Sequence, residues 1–320
     1  MHLRLMLPSF PWTRALEEGR VNIPGATYEC APYIENAPDR FNAFLAGGYD
    51  VGEDSVRHFV EKYLNGGPAN ALPVFFDREH MQRNIFVRAD SPLTHPCDLA
   101  GKRVGTRQTL KSGTCAGVLM MLEQGYEVPL HEILWRSGNP SVPPGDRMGL
   151  RVEPGPATDR ENLELLMRGE IDAMISNLEG RYWSLFGPDI LDHEICLPMG
   201  VRTLNGDPQL IADTYRRTGL YAITDVVVVR PELLSEQPEL GAALLDAFDE
   251  ANALAPTYRS GIEEHFSQLE IALLGEDPHL YGLGVNARRN LPTFMDLLYR
   301  LGAIHHAVAP EDLFAMSDRV

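Results

Sequence analysis

Short runs of β-branched and aromatic residues alternate along the chain with longer segments whose apolar residues recur every three or four positions. The first pattern is typical of strands and the second of amphipathic helices. Residues 2–7 and 26–31 are predicted strands, and the unbroken valine run at 226–229 predicts a strand buried on both faces of a sheet. Residues 240–254 and 290–301 are predicted helices with one apolar face. This alternation predicts an α/β protein.

The pattern starts afresh near residue 91, where a proline-rich crossing leads into a second series of strands and helices. In this second unit, residues 159–168 are predicted as a helix that Gly169 ends. Residues 139–156 hold five prolines and are predicted as a long surface loop.

Composition limits the classes of function. At 320 residues the chain is longer than one average domain, and 44% apolar with 23% charged residues is ordinary for a globular protein. The formal net charge of -17 argues against a nucleic-acid partner, because phosphate binding needs clustered positive charge. The net charge still allows an anionic small-molecule ligand, provided that arginines cluster locally in a cleft.

The cysteines and the opening residues favour a cytoplasmic protein. The four cysteines are far apart and form no CxxC pair, which predicts reduced thiols and no zinc or thioredoxin-type site. No basic start followed by an apolar run opens the sequence, and no segment is long and apolar enough for a membrane span.

Seven segments carry a resemblance to a known family, and they are EEGRVNIPG, YDVGEDS, ALPVFF with the later IFVR, GKRVGTRQ, GEIDAMIS, YRRTGLYAITDVVVVR and DPHLYGLGVNARR. In this order they resemble the 4,5-dihydroxyphthalate decarboxylase family, cytoplasmic enzymes with the type II periplasmic-binding-protein fold. The resemblance implies two α/β lobes joined by two crossover strands, with the ligand in the interlobe cleft. It predicts residues 1–88 plus 225–320 as one lobe and 90–220 as the other.

The residues after the first strand are the first candidates for the ligand site. The family keeps a Thr-Arg pair there, which corresponds to Thr13 and Arg14 in this chain. Arg14 is predicted to clamp a substrate carboxylate, because a guanidinium donates paired hydrogen bonds. Trp12 is predicted to stack on an aromatic ligand. The alternatives are a solvated charge for Arg14 and a packing role for Trp12.

The end of the third strand supplies Glu53 and Ser55, in a pattern where the family has an acid and a serine. Strand ends in open α/β sheets point into the ligand crevice. Glu53 is a candidate proton donor, metal ligand or acceptor for a ring hydroxyl, and the alternative is an exposed loop acid.

Further substrate contacts are predicted where a helix begins in the second unit and in a glycine-rich segment near the C-terminus. The helix start offers free N–H groups that attract a carboxylate, although Ser112 could be an ordinary helix N-cap. The predicted contacts are Thr106, Gln108, Ser112, Thr114 and Asn286.

Two departures from the family pattern affect the chemistry. Where the resemblance implies histidines, this chain has Gln82 before the IFVR strand and Asp225 after the second crossover. Asp225 is predicted to face Glu53 across the cleft floor, where two close carboxylates would supply a proton donor near neutral pH. The same acids with His80 are alternative ligands for a divalent metal. A structural ion pair for Asp225 also stays open.

The expectation is a cytoplasmic lyase that decarboxylates a hydroxylated, phthalate-like aromatic acid. The alternatives are a solute-binding-type protein that holds an anionic small molecule without chemistry, and an enzyme of this fold that acts on another aromatic acid. No P-loop or GxGxxG is present, so no nucleotide cofactor is expected. The sequence leaves open a divalent metal and a homo-oligomer.

Overall fold

The computed structural model describes residues 1–68, 70–76, 78–139, 147–176 and 198–314. Within these residues, strands and helices alternate as the sequence predicts. The strands are β1 (His2–Met6), β2 (Thr27–Cys30), β3 (Val51–Ser55), β4 (Ala71–Leu72), β5 (Arg78–Glu79), β6 (Ile85–Arg88), β7 (Arg103–Thr106), β8 (Leu134–Ser137), β9 (Arg151–Pro154), β10 (Ala173–Ile175), β11 (Val201–Thr203), β12 (Ala222–Ile223) and β13 (Asp225–Val229). The α-helices are α1 (Arg14–Glu17), α2 (Ala37–Leu45), α3 (Val56–Leu64), α4 (Gly113–Met120), α5 (Asp159–Met167), α6 (Pro208–Thr218), α7 (Pro231–Glu236), α8 (Leu240–Ala253), α9 (Gly261–Leu274) and α10 (Val285–Arg300).

The first sheet combines the start of the chain with one strand that returns late in the sequence. Its order is β2-β1-β3-β13-β4. Strand β1 is parallel to β2 and β3, whereas β13 is antiparallel to β3 and β4. The predicted valine strand is therefore a central strand of this sheet, and its four valines are buried.

The second sheet has the order β11-β6-β10-β7-β8-β9. Strands β10, β7, β8 and β9 pair in parallel, and β6 pairs antiparallel with β10 and β11. The division of the chain into one lobe of residues 1–88 plus 225–320 and another of residues 90–220 stays a prediction. That division assigns β6 to the first lobe, whereas β6 hydrogen-bonds to β10 and β11 of the second sheet. A short third sheet pairs β12 with β5, which are the segments that run between the two larger sheets.

Two of the sequence-based element predictions are modified. Helix α10 starts at Val285, earlier than the predicted residue 290, and its apolar face packs Leu291, Phe294 and Leu298 into the core. The proline-rich stretch at 139–156 is not wholly a loop, because β9 pairs with β8 and ends at Pro154. An edge strand tolerates proline because one side of its backbone needs no ladder partner. Residues 140–146 of this stretch lie outside the described residues.

Helices in the described part of the chain are too short or too polar to cross a membrane.

Candidate functional site

A cleft of about 440 Å³ lies where elements attached to the first sheet meet elements attached to the second. The side of the first sheet contributes the segment before α2 and the first turn of α2, together with the end of β3 and the first turn of α3. The side of the second sheet contributes the loop after β7 and the start of α4. The lining residues are Glu35, Asn36, Pro38, Arg40, Ser55, Arg57, His58, Glu79, Met81, Arg107, Gln108, Thr109, Ser112, Gly113, Thr114, Thr224 and Asp225.

The first wall is formed where β3 passes directly into α3. Ser55 is both the last residue of β3 and the residue that precedes α3, so the helix starts at the strand end without a loop. The backbone N–H of Val56 donates to the carbonyl of Thr224 at 2.8 Å, which ties this junction to the start of β13. Arg57 and His58 therefore lie on the first turn of α3 and line the cleft.

The second wall is organised by side chains that hold the loop between β7 and α4. Ser112 caps α4: its hydroxyl accepts from the backbone N–H of Cys115 at 3.3 Å and donates to the Gln108 side chain at 2.5 Å. Gln108 in turn donates its backbone N–H to the Thr106 hydroxyl at 3.1 Å. The two walls approach closely at Gly113, where an added Cβ would lie 3.3 Å from the Cβ of Thr224.

A buried arginine forms the floor on the first-sheet side, and the sequence analysis did not identify it. Arg40 on α2 is 3% exposed, and its guanidinium lies 3.8 Å from a carboxylate oxygen of Glu53 and 3.9 Å from one of Asp225. It also donates to the backbone carbonyls of Glu53 and Ile34, at 2.9 and 2.8 Å. Tyr33 donates to the same Glu53 carboxylate at 2.5 Å.

The charge of Arg40 is stabilised by its neighbours. Burial disfavours the guanidinium charge, but Glu53, Tyr33 and Asp225 outweigh it and raise the pKa of Arg40. The predicted pair Glu53 and Asp225 is thus brought together, on the adjacent strands β3 and β13, with a cation in contact with both.

Three further groups that can carry positive charge line the cleft, and the sequence analysis did not select them. Arg57 lies 3.7 Å from Glu61, Arg107 pairs with Asp159, and His58 stacks on Phe41. The position of Arg57 and His58 directly after the Ser55 strand end was a usable signal, because such junctions face the crevice. Arg107 was within the quoted GKRVGTRQ segment but was not selected.

Seven of the predicted site residues lie at the cleft surface or directly behind it. Ser55, Gln108, Ser112, Thr114 and Asp225 line the cleft, and their roles toward a ligand stay predictions. Glu53 and Thr106 are buried just behind its surface, at 1% exposure each.

The Trp12-Thr13-Arg14 segment lies elsewhere. Trp12 is buried and stacks on Phe10 and His279, with ring centroids 4.8 and 5.6 Å apart. Thr13 is buried and donates its hydroxyl to the carbonyl of Pro8. Arg14 is exposed at the start of α1 and is not among the cleft-lining residues. A ligand in this cleft therefore does not touch these three residues in this arrangement, and their substrate roles stay predictions.

Asn286 is also outside the cleft lining. Its side chain accepts from Arg78 and donates to the Tyr215 hydroxyl at 3.0 Å, so it joins a polar cluster between α6 and α10. Its predicted role as a substrate contact stays untested.

The proposed metal set is not assembled by the fold. His80 is buried and contacts Glu270 of α9 at 2.7 Å, whereas Glu53 and Asp225 surround Arg40. In the part of the chain that the structure describes, no three His, Cys, Asp or Glu side chains are arranged to hold a metal ion. The set of Glu53, His80 and Asp225 is therefore wrong as a joint metal site, because its members hydrogen-bond to different partners.

Comparison with solved structures establishes the class: the chain has the two-lobed, type II periplasmic-binding-protein-like α/β fold. The periplasmic aliphatic sulphonate binding protein SsuA from Escherichia coli gives a TM-score of 0.58 at 18% identity, covering 98% of this chain and 91% of that chain. The alkanesulfonate-binding protein SsuA from Xanthomonas axonopodis pv. citri, bound to MOPS, gives 0.56 at 14% identity, covering 98% and 97%. A mutant of DSZB in complex with biphenyl-2-sulfinic acid gives 0.53 at 18% identity, covering 98% and 96%.

Sequence comparison then points to a particular relative. No family model matches the chain. The 4,5-dihydroxyphthalate decarboxylase of Comamonas testosteroni is 28% identical over 98% of this chain and 96% of its own length. The resemblance that the ordered segments predict is therefore confirmed and extends along nearly the whole chain.

Proposed function

We propose that this protein is a carboxy-lyase that removes carbon dioxide from a hydroxylated aromatic carboxylic acid bound in the cleft. The observation that carries the proposal is the composition of that cleft. In a chain of net charge -17, its lining gathers three arginines and a histidine alongside the acids Glu35, Glu79 and Asp225. The similarity to a decarboxylase along nearly the full length of both chains supports the reaction type.

The two walls offer complementary contacts for such a substrate. Arg57 and Arg107 can receive carboxylates, because charged hydrogen bonds to guanidinium groups are strong and directional. The start of α4 adds backbone N–H donors on the same side. Asp225 can accept a hydrogen bond from a ring hydroxyl.

Removal of a carboxylate from an aromatic ring requires that a proton replace it on the same carbon. A ring hydroxyl in the ortho or para position helps, because its oxygen shares the positive charge that protonation creates. The protein's part is to hold the carboxylate in place and to supply the proton from a general acid.

The proposal is tested by incubating the protein with a panel of hydroxybenzoic and hydroxyphthalic acids and measuring carbon dioxide release. Affinity for the active acid is then compared among Arg57→Ala, Arg107→Ala and Arg14→Ala. The first two should each weaken binding by about 1.5–3 kcal/mol, the usual contribution of a charged hydrogen bond, and Arg14→Ala should not. If only Arg14→Ala weakens binding, the ligand binds at the loop after β1 and not in this cleft.

A second candidate function is binding of an anionic small molecule without chemistry. The SsuA structures favour it, because proteins named for sulfonate binding share this fold. A thermal shift by one acid of the panel, with no carbon dioxide released from any of them, would identify this alternative.

A further inference from the structure

Asp54 and His58 form a carboxylate–imidazole pair at the junction of β3 and α3. Asp54 is 0% exposed, whereas the His58 side chain is 17% exposed and lines the cleft. His58 Nδ1 lies 3.6 Å from Asp54 Oδ1. The pair exists because β3 runs straight into α3, so the fourth residue after Asp54 lies on the first helical turn above the strand end.

The buried atoms of this pair complement one another. Among the described residues, neither His58 Nδ1 nor Asp54 Oδ2 has a hydrogen-bond partner, although both atoms are buried. Asp54 Oδ1 accepts from the backbone N–H of Ser55 at 2.7 Å. A buried polar atom left unsatisfied costs about 1–3 kcal/mol. A movement of less than about 1 Å brings Nδ1 within hydrogen-bond distance of Oδ1, which would give Nδ1 the partner that it lacks.

The imidazole ring has one buried nitrogen, Nδ1, and lines the cleft with the rest of its partly exposed side chain. Nδ1 is buried toward Asp54, which leaves Nε2 as the nitrogen available to a ligand. Phe41 stacks on the ring, with centroids 5.4 Å apart and planes inclined by 23°, and this contact fixes the ring plane. A histidine held by a carboxylate at one nitrogen and open at the other is the arrangement used for proton transfer to a substrate.

The two acids that the sequence singled out are already in contact with a buried cation. Arg40 lies within 4 Å of both Glu53 and Asp225. Among the cleft-lining residues described, His58 is the one histidine, and histidine is the side chain that ordinarily changes charge near neutral pH.

We propose that His58 is the general acid of the reaction and that Asp54 is its positioning residue. This assignment rests on the proposed decarboxylase function. The Nε2–H bond breaks as its proton forms a C–H bond to the ring carbon that carries the carboxylate, and the ring hydroxyl oxygen shares the positive charge. The bond from that carbon to the carboxylate then breaks, its electron pair returns to the ring, and carbon dioxide leaves. Solvent reprotonates Nε2, so each turnover takes up one proton and releases one carbon dioxide.

The first test separates proton transfer from binding. In His58→Gln, kcat should fall by about 10²–10⁴-fold, the usual contribution of general acid catalysis, while affinity for the substrate should fall far less. The matched control is His305→Gln, which makes the same change at an exposed position and should keep wild-type kcat.

The second test uses Asp54→Asn and a pH profile. In the wild type, kcat should fall as the pH rises and the imidazolium loses its proton. Asn removes the negative charge that stabilises the imidazolium, so this fall should move to lower pH in the variant. Loss of a merely structural contact would lower kcat without moving the profile. The other charged groups that line the cleft stay unchanged in this comparison, and they are Glu35, Arg40, Arg57, Glu79, Arg107 and Asp225.

The outcomes distinguish this assignment from the function on which it rests. If the wild type releases carbon dioxide and His58→Gln matches the His305→Gln control, the assignment of His58 is wrong and the proposed function stands. If the wild type releases none from any acid of the panel, the proposed function fails and the assignment fails with it.

Discussion

Replacement of Arg40 by methionine is the most informative perturbation of the cleft floor. Arg40→Met keeps most of the side-chain volume but removes the charge between Glu53 and Asp225. It also removes the donors to three backbone carbonyls and the contact of the guanidinium with the Tyr33 ring, 4.9 Å from the centroid. Both acids would then lie in a buried region without their shared cation.

The size of the effect follows from the distances. Two carboxylates lie 3.8 and 3.9 Å from the guanidinium. Each such pair is worth ~4 kcal/mol of Coulomb energy at an effective dielectric constant of 20, and the cost of desolvating the charges offsets part of it. Removing one partner of a buried ion pair destabilises proteins by about 3–5 kcal/mol, and we expect a loss in this range for Arg40→Met.

The assay is the free energy of unfolding in urea, with two comparison variants. Arg160→Met makes the same substitution in the exposed pair with Glu164, at 3.2 Å, and should cost under about 0.5 kcal/mol. The double variant Arg40→Met with Glu53→Gln should recover part of the lost stability, because it neutralises one of the two acids that no longer have the guanidinium beside them. Equal stability of Arg40→Met and Arg160→Met would refute the reasoning.

Two further predictions concern the helix cap beside the cleft and the buried histidine. Ser112→Ala and Ser260→Ala each remove a helix N-cap, and each should lower the free energy of unfolding in urea by about 1 kcal/mol. Only Ser112→Ala should also reduce the rise in melting temperature that an anionic ligand produces. An equal rise in both variants would show that Ser112 does not contact the ligand. Burial lowers the pKa of His279 to about 4 from its ordinary 6.5. Below about pH 6.5 the unfolded chain therefore takes up a proton that the folded protein resists, and stability falls as the pH drops toward 4. His279→Phe should flatten this part of the pH dependence of the urea midpoint, and an unchanged slope would contradict it.

The sequence predicts the fold well where the pattern is local. The valine run at 226–229 indicates a strand buried on both faces, and it forms β13, an interior strand of the first sheet. The sequence does not indicate the strand at Arg151–Pro154, because Pro154 within it and Gly155 and Pro156 after it are typical of a loop, and its pairing depends on the distant strand β8. Such pairing has no signature within the segment itself.

The candidate site likewise contains some residues that the local pattern marks and others that it does not. Ser55 and Ser112 lie at ends of elements that the pattern marks, so their positions at the cleft follow from the crevice rule for α/β sheets. Arg40 was missed because its partners come from β3 and β13, and only the paired sheet brings these acids to one guanidinium. His58 is not marked by the resemblance, because the histidines that the resemblance implies fall at the positions of Gln82 and Asp225 and not after this strand end.

The most direct test of the proposed decarboxylation measures deuterium incorporation and carbon dioxide release in the same reaction. The protein is incubated in D₂O with the acid of the panel that it binds, labelled with ¹³C in its carboxyl groups, and gas and ring signals are followed together. The account predicts one labelled carbon dioxide per product molecule and one deuterium on the ring carbon that lost it, with both signals greatly slowed in His58→Gln. An acid that binds and shifts the melting temperature but releases no labelled carbon dioxide would contradict the account and leave a binding protein.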